Sequence, residues 1–184
     1  MKNKPPLYRG LIAISSFAIV LSSCIVKPKA SRNELLHGMF KLFIIEVQDS
    51  GGVWQEQKWG KGGDGLIVYD GKGHMAVQIT PKGYKDFSWL DEESSINDDK
   101  VKEKTDSMSV DELKGAVREF VSNYVYVGNY RVEDTADVVI HERISSTIPE
   151  VWGTTVRRSF SSSGDTIILK VLDANRRLKW IRQN

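Results

Sequence analysis

The stretch from Gly65 to Thr80, Gly-Leu-Ile-Val-Tyr-Asp-Gly-Lys-Gly-His-Met-Ala-Val-Gln-Ile-Thr, constrains this chain more than any other. Two apolar runs rich in β-branched residues meet at Asp70-Gly71-Lys72-Gly73, and glycine reaches the positive φ angles of tight hairpin turns. The stretch predicts a β-hairpin. A two-residue turn at Gly71-Lys72 pairs Val68 with Met75 and Leu66 with Val77. A three-residue turn pairs Tyr69 with Met75 and Ile67 with Val77. Either register keeps Met75, Val77 and Ile79 on one apolar face, and the residues alone do not choose between them. An isolated hairpin is marginal in water, so this one requires more strands.

Further strands are legible along the chain. Met39–Gln48 is apolar enough for both faces to be covered, and Val53–Gly63, with Trp54 and Trp59, reads as a loop or irregular strand. From Tyr124 to Val132, Tyr124, Tyr126, Gly128 and Tyr130 share one phase. From Asp137 to Ile144, Val138, Ile140 and Ile144 alternate with Val139, His141 and Arg143. Runs at Thr154–Phe160, Thr166–Leu172 and Leu178–Arg182 follow, separated by polar turns. Ser109-Val-Asp-Glu112 is a capping-box signature, and Val110, Leu113, Val117, Phe120 and Val121 then recur at helical spacing. That predicts one helix over 110–122, packed on the domain as a lid or flank. Lys82–Ser107 alternates in charge without the spacing or turn glycine of a calcium loop, and reads as a solvated loop. About eight short strands and one helix predict an all-β antiparallel barrel or sandwich.

Length and charge set bounds. The 184 residues suffice for one domain with a sizeable core and are too few for two. A single cysteine, Cys24, excludes an internal disulfide. Lys2, Lys4 and Arg9 lie in residues 1–23, which hold no acid; removing those three from 26 bases leaves 23 against 24 acids. That near-neutral balance gives no support to nucleic-acid binding.

Behind the positive head, Leu11–Leu21 runs apolar for eleven residues, too short to span a bilayer and right for a signal-peptide core. Leu21-Ser22-Ser23-Cys24 resembles the lipobox of bacterial lipoproteins. The resemblance implies cleavage before Cys24, a diacylglycerol on its sulfur and usually a third acyl chain on the new amino group. Two or three chains anchor firmly, since each buried methylene contributes ~0.8 kcal/mol. Ile25 after the cysteine resembles the outer-membrane sorting class of diderm bacteria. Residues 25–33 read as a short polar tether, reaching about 30 Å at ~3.3 Å per residue.

Over residues 35–182 the chain resembles the bacterial lipocalin-like domain family. Leu35-Leu-His-Gly38-Met-Phe40 looks like its opening Leu-x-Gly-x-Trp, with Phe40 in the tryptophan's place. Gly65, Tyr69, Gly73, Met75, Val77 and Gln78 match its hairpin pattern, and Tyr126-Val-Gly128-Asn-Tyr130 its Tyr-x-Gly-x-Tyr. His141 falls where the family has a histidine, and Pro149, Gly153 and Arg158 match its Pro…Gly…Arg segment, with Trp152 displaced by one place. Leu178-Lys-Trp180-Ile-Arg182 resembles the closing Leu-x-Trp-x-Arg. The resemblance implies an up-and-down antiparallel β-barrel of about eight strands with one inserted α-helix, and supplies no reaction. The expected organisation is a signal peptide over 1–23, a lipidated tether over 24–33 and the barrel over 34–184.

A barrel of this size holds side chains or one small ligand, and ligand cavities are mostly apolar with a few fixed polar groups. Gln78, Tyr126, Tyr130, His141 and Arg158 are expected to supply those groups: Tyr and Arg bind a ligand's oxygen or carboxylate, and His can carry a proton. Structural roles fit the same residues. Tyr126 and Tyr130 suit core aromatics, with Gly128 letting a neighbouring strand approach, and Arg158 suits a cation stacked on Trp180 or Phe40 at the barrel's end. His141 and Glu142 point to opposite faces of a strand and do not form a pair. His37, His74 and His141 lack metal-ligand spacing, and no nucleophile elbow, phosphate loop or dinucleotide fingerprint is present. The sequence leads to a barrel moored to the cell envelope through Cys24 that binds a small hydrophobic or amphipathic molecule without a cofactor. A barrel enzyme of isomerase or cyclase type and a partner-binding lipoprotein are the alternatives.

Overall fold

The computed structural model of the chain describes residues 31–84 and 92–184. Cys24 and the leader, and with them the expected cleavage and acylation, lie outside the described residues.

Period-two alternation rolls the described residues into one antiparallel sheet. Its strands are β1 (Gly38–Gln48), β2 (Trp54–Glu56), β3 (Asp64–Tyr69), β4 (His74–Thr80), β5 (Tyr124–Val132), β6 (Val138–Ser146), β7 (Thr155–Ser163), β8 (Thr166–Val171) and β9 (Arg176–Arg182). They hydrogen-bond in the order β2-β1-β3-β4-β5-β6-β7-β8-β9, and β1 also pairs with β9. That last pairing, from Phe40↔Arg182 to Val47↔Arg176, closes an eight-stranded up-and-down barrel. The short β2 lies outside the ring, beside the second half of β1. Inward residues make the core: Phe40, Tyr69, Val139, Ile167, Leu169 and Trp180 are each 2 % exposed or less. Burying one such side chain contributes about 1.5–3 kcal/mol, which makes this alternation the main specification of the fold. The outer face is less covered than the apolar run of β1 implied, since Met39 and Phe43 are exposed.

The hairpin takes the three-residue turn, with Tyr69 opposite Met75 and Ile67 opposite Val77. Gly71 and Gly73 adopt φ of 75° and 107°, which side chains resist. Asp70 fixes the turn by accepting from the backbone N–H of Lys72 (2.7 Å) and His74 (2.9 Å), and it contacts His74 Nδ1 at 2.6 Å. The His74 side chain, foremost among these partners, holds the Asp70 carboxyl well below the usual carboxylate range.

At the end of the barrel where this hairpin turns, α1 (Arg32–Leu36) closes the floor. Arg32 and Asn33, expected in the tether, are thus part of the domain: Ser31 and Glu34 form a capping box that starts the helix. Arg32 pairs with Asp137 at 2.7 Å and donates to the Asp134 carbonyl at 3.0 Å, and Leu36 is fully buried. Arg182 lies over the Phe40 ring, 4.5 Å from its centroid, and donates to the carbonyls of His37 and of Leu35 (2.9 Å). The end-closing cation is Arg182, two residues beyond Trp180, rather than Arg158.

The opposite end carries the insertion between β4 and β5: α2 (Glu92–Ser95), α3 (Asp98–Ser107) and α4 (Val110–Ser122). The last has the bounds and the Ser109–Glu112 capping box that its sequence predicts. The described residues 92–107 of the expected loop are largely helical instead. Asn97 caps α3 by accepting from Lys100 N–H, Asp98 and Asp99 occupy the favourable first turn, and Lys102 pairs with Asp106 one turn on. Those alternating charges suit an exposed helix as well as a loop. Packing of α4 also differs from expectation: Ala116 is buried, whereas Val110, Val117, Phe120 and Val121 are exposed.

β6 carries one more residue than β5 where they pair, so that Val127 faces Ser145 and Gly128 faces Arg143, with Ile144 bulged outward. The strands approach closely there: a Cβ on Gly128 would sit 1.9 Å from the Glu142 carbonyl oxygen. Because the obstacle is backbone, it has little room to yield. Gly128→Ala is expected to destabilise the barrel by about 3 kcal/mol or more, measured by urea unfolding; a loss below about 1 kcal/mol would contradict the packing described.

Candidate functional site

β5, β6 and β7 are consecutive in the ring, so their inward residues form one continuous wall. That wall holds Tyr124 and Tyr126 from β5, His141 and Arg143 from β6, and Arg158 from β7. His141 is fully buried and held at both ring nitrogens. Its Nε2 lies 2.9 Å from the Tyr69 hydroxyl and its Nδ1 2.7 Å from the Tyr126 hydroxyl. Tyr130 packs edge-on against Tyr69, with ring centroids 4.8 Å apart.

Burial first, then the charges of Arg158 and Arg143, push the His141 pKa well below its ordinary value of 6.5. The imidazole is therefore neutral at neutral pH, with one donor and one acceptor for its two hydroxyl partners. Burial likewise raises Tyr69, Tyr126 and Tyr130, so none is a phenolate near pH 7. The nearby charge of Arg158 works against burial at Tyr126, lowering a pKa that burial raises. The result is a polarised, uncharged relay behind a charged arginine. It orients groups and holds no free base.

Above this layer the barrel is hollow. A cavity of about 450 Å³ is walled on its apolar side by Ile45, Ile67, Val77, Ile79, Leu169 and Leu178. Its other side shows Tyr124, Tyr126, Arg143 and Arg158; Arg176 and Trp180 line it from β9, and Trp59, Val121, Ile148 and Val151 stand at the open end. Four buried donors in this lining have no partner: Arg158 Nε and Nη1, Arg143 Nε and Trp180 Nε1. A single buried acceptor there, Gln57 Oε1, is likewise unpartnered. Each orphaned buried group costs about 1–3 kcal/mol, more when charged. Among the described residues no carboxylate pairs with Arg143, Arg158 or Arg176. Burial, aided by the charge of Arg158, lowers the Arg176 pKa.

Of the five expected ligand-binding residues, Tyr126 and Arg158 face the cavity. His141 stands directly behind Tyr126, and Tyr130 belongs to the packed layer below. Gln78 is placed wrongly by the sequence reading. It lies between inward Val77 and Ile79, so strand alternation turns it to the exposed outer face. Tyr69, Arg143 and Arg176 were missed. Tyr69 and Arg143 were visible in the right phase, each two residues along a strand from a core position. Arg176 opens β9 behind a polar turn, where no periodicity marks it.

The relay gives a pH signature. The unfolded chain takes up a proton near pH 6.5 that folded His141 refuses, so its contribution to stability is present above pH 6.5 and is lost as pH falls below it. Glutamine can still bond both hydroxyls but does not titrate. Between roughly pH 7 and pH 5, wild type is expected to lose about 2 kcal/mol more stability than His141→Gln, read by urea unfolding at stepped pH. Parallel pH curves would show that His141 is charged in the fold.

Comparison with protein-family models matches residues 37–181 to the lipocalin-like domain. Comparison with curated proteins and with solved structures found no match. The matched segment runs from the residue before β1 to the penultimate residue of β9, and so takes in the whole closed barrel and its hollow upper half. The chain belongs to the lipocalin-like domain family.

Proposed function

We propose that this protein is an envelope lipoprotein whose barrel binds one small hydrophobic or amphipathic molecule. The observation that carries the reading is the cavity of about 450 Å³ above the Tyr69–His141–Tyr126 layer, within the usual range of about 300–1,000 Å³ for ligand sites. Its wall is apolar on β1, β3, β4 and β8 and polar on β5–β7, with Arg176 adding a cation from β9, the mixed lining of a binding site. The lipobox resemblance at Leu21–Cys24 supports anchoring through Cys24, and Ile25 supports the outer membrane in a diderm cell. An isomerase- or cyclase-like activity needs a titratable base facing the ligand. His141 stands behind Tyr126 with both ring nitrogens engaged, which favours binding over proton transfer.

The cavity reading is tested with a neutral fluorescent probe, N-phenyl-1-naphthylamine, titrated into the full-length protein in zwitterionic nanodiscs, with empty discs as the blank. Saturable binding is expected, and Ile79→Trp, which fills the upper cavity, is expected to weaken it about tenfold or more. No saturable signal, or an unchanged one in Ile79→Trp, would remove the ligand from the barrel. For the anchor, Cys24→Ala is expected to abolish metabolic acyl labelling and the processing block caused by globomycin. Unlabelled wild type would end that part of the proposal.

A further inference from the structure

The donors left over in the cavity name the chemistry of its occupant. We infer that the barrel selects an anionic amphiphile, a carboxylate or phosphate monoester on an apolar body, and seats the charged group on Arg158 within reach of Arg143 and Arg176. This rests on the ligand-binding reading above and goes further, since a hollow barrel alone would take neutral lipids equally well.

Outside the barrel several cations have carboxylate partners. Arg177 and Lys179 share Glu46 at 2.6 and 3.1 Å, Arg157 pairs with Glu133 at 2.5 Å, and Arg32 with Asp137 at 2.7 Å. Inside, Arg158 is only 7 % exposed, faces the cavity and has two guanidinium nitrogens without a partner. Arg143 contributes another unpartnered nitrogen while its Nη2 is tied to Thr154 at 2.6 Å, which fixes its direction. The charge of Arg158 acts on both His141 and Arg176, so the cations share one electrostatic neighbourhood. Four unpartnered donors against one acceptor call for a ligand that brings acceptors, and cations in low dielectric call for negative charge. Tyr126 is not the missing partner. Its hydroxyl is engaged with His141 Nδ1 at 2.7 Å, and Arg158 Nε and Nη1 have no partner. Opposite lie Ile45, Ile67 and Val77, which suit an alkyl or alicyclic body. A neutral alcohol would satisfy fewer donors, and an ammonium would add to the repulsion.

The test compares four eight-carbon probes, octanoate, octyl phosphate, octanol and octyltrimethylammonium, on the full-length protein in zwitterionic nanodiscs. Tryptophan fluorescence serves as readout, since Trp59 and Trp180 line the cavity. Octanoate or octyl phosphate is expected to bind at least about tenfold tighter than octanol, and the ammonium not at all; the first two arms tell a carboxylate head from a phosphate. Arg158→Met is expected to erase the preference for the anion, so that octanoate and octanol bind within about twofold of each other. If Arg158→Met does not fold, Arg143→Gln is expected to reduce the same preference. Octanol binding as tightly as the anions, with both variants indifferent to charge, would overturn the anion inference and leave the cavity reading intact. Saturation by none of the four would overturn both.

Discussion

Everything in this barrel depends on the seam between its first and last strands. An antiparallel sheet of this length leaves two edges of unpaired backbone unless they meet, and meeting abolishes both. β1 makes the meeting possible because its eleven residues outlast any single neighbour. On one side it runs against β9 from Phe40 to Val47, with a bulge between Leu42 and Ile44 that turns Phe43 outward. On the other it pairs with β3 only as far as Lys41, and with β2 from Glu46 onward. Phe40 and Arg182, the first pair of the seam, are also the residues that stack to close the floor. Closure and capping are one interaction.

The interior divides at the histidine layer. Below it Phe40, Tyr130, Phe160 and Ile167 fill the barrel as a packed core. Above it three lining positions carry arginines, Arg143, Arg158 and Arg176, without a carboxylate partner among the described residues, and the space is hollow. A buried, unpaired guanidinium destabilises the fold that holds it, often more than an apolar residue of similar volume would. The upper half therefore carries a stability cost that the packed lower half does not. The neutral Tyr–His–Tyr layer separates the two regimes, tying β3, β5 and β6 together without adding charge.

Much of this was legible from residues alone, for a physical reason. Strand alternation repeats over many positions, and turn glycines such as Gly71 and Gly73 have few other uses, so the hairpin, the ring of strands and α4 follow from local pattern. The register of the hairpin did not, since both turns preserve the buried face; the Asp70 hydrogen bonds decide it. Gln78 shows the opposite failure. A motif match placed it in the site, although its phase between Val77 and Ile79 already assigned it to the outside. Arg182 in place of Arg158 as the stacking cation reflects a choice between two basic residues of correct phase, which only tertiary distance resolves. α3 was hidden because alternating charges serve a solvated helix and a loop alike, and because it buries no side chain.

The handover of β1 from β3 to β2 has a bearing on how such a protein diversifies. Where β1 leaves β3, the perimeter of the rim is completed by a strand of three residues and the turn bearing Trp59, elements outside the closed ring. The aperture and the inward arginines therefore belong to different parts of the chain. Insertions beside Trp54–Glu56 can widen or narrow the opening while Arg158 and its neighbours stay where the ring puts them, so the width of the mouth and the charge of the interior can change independently.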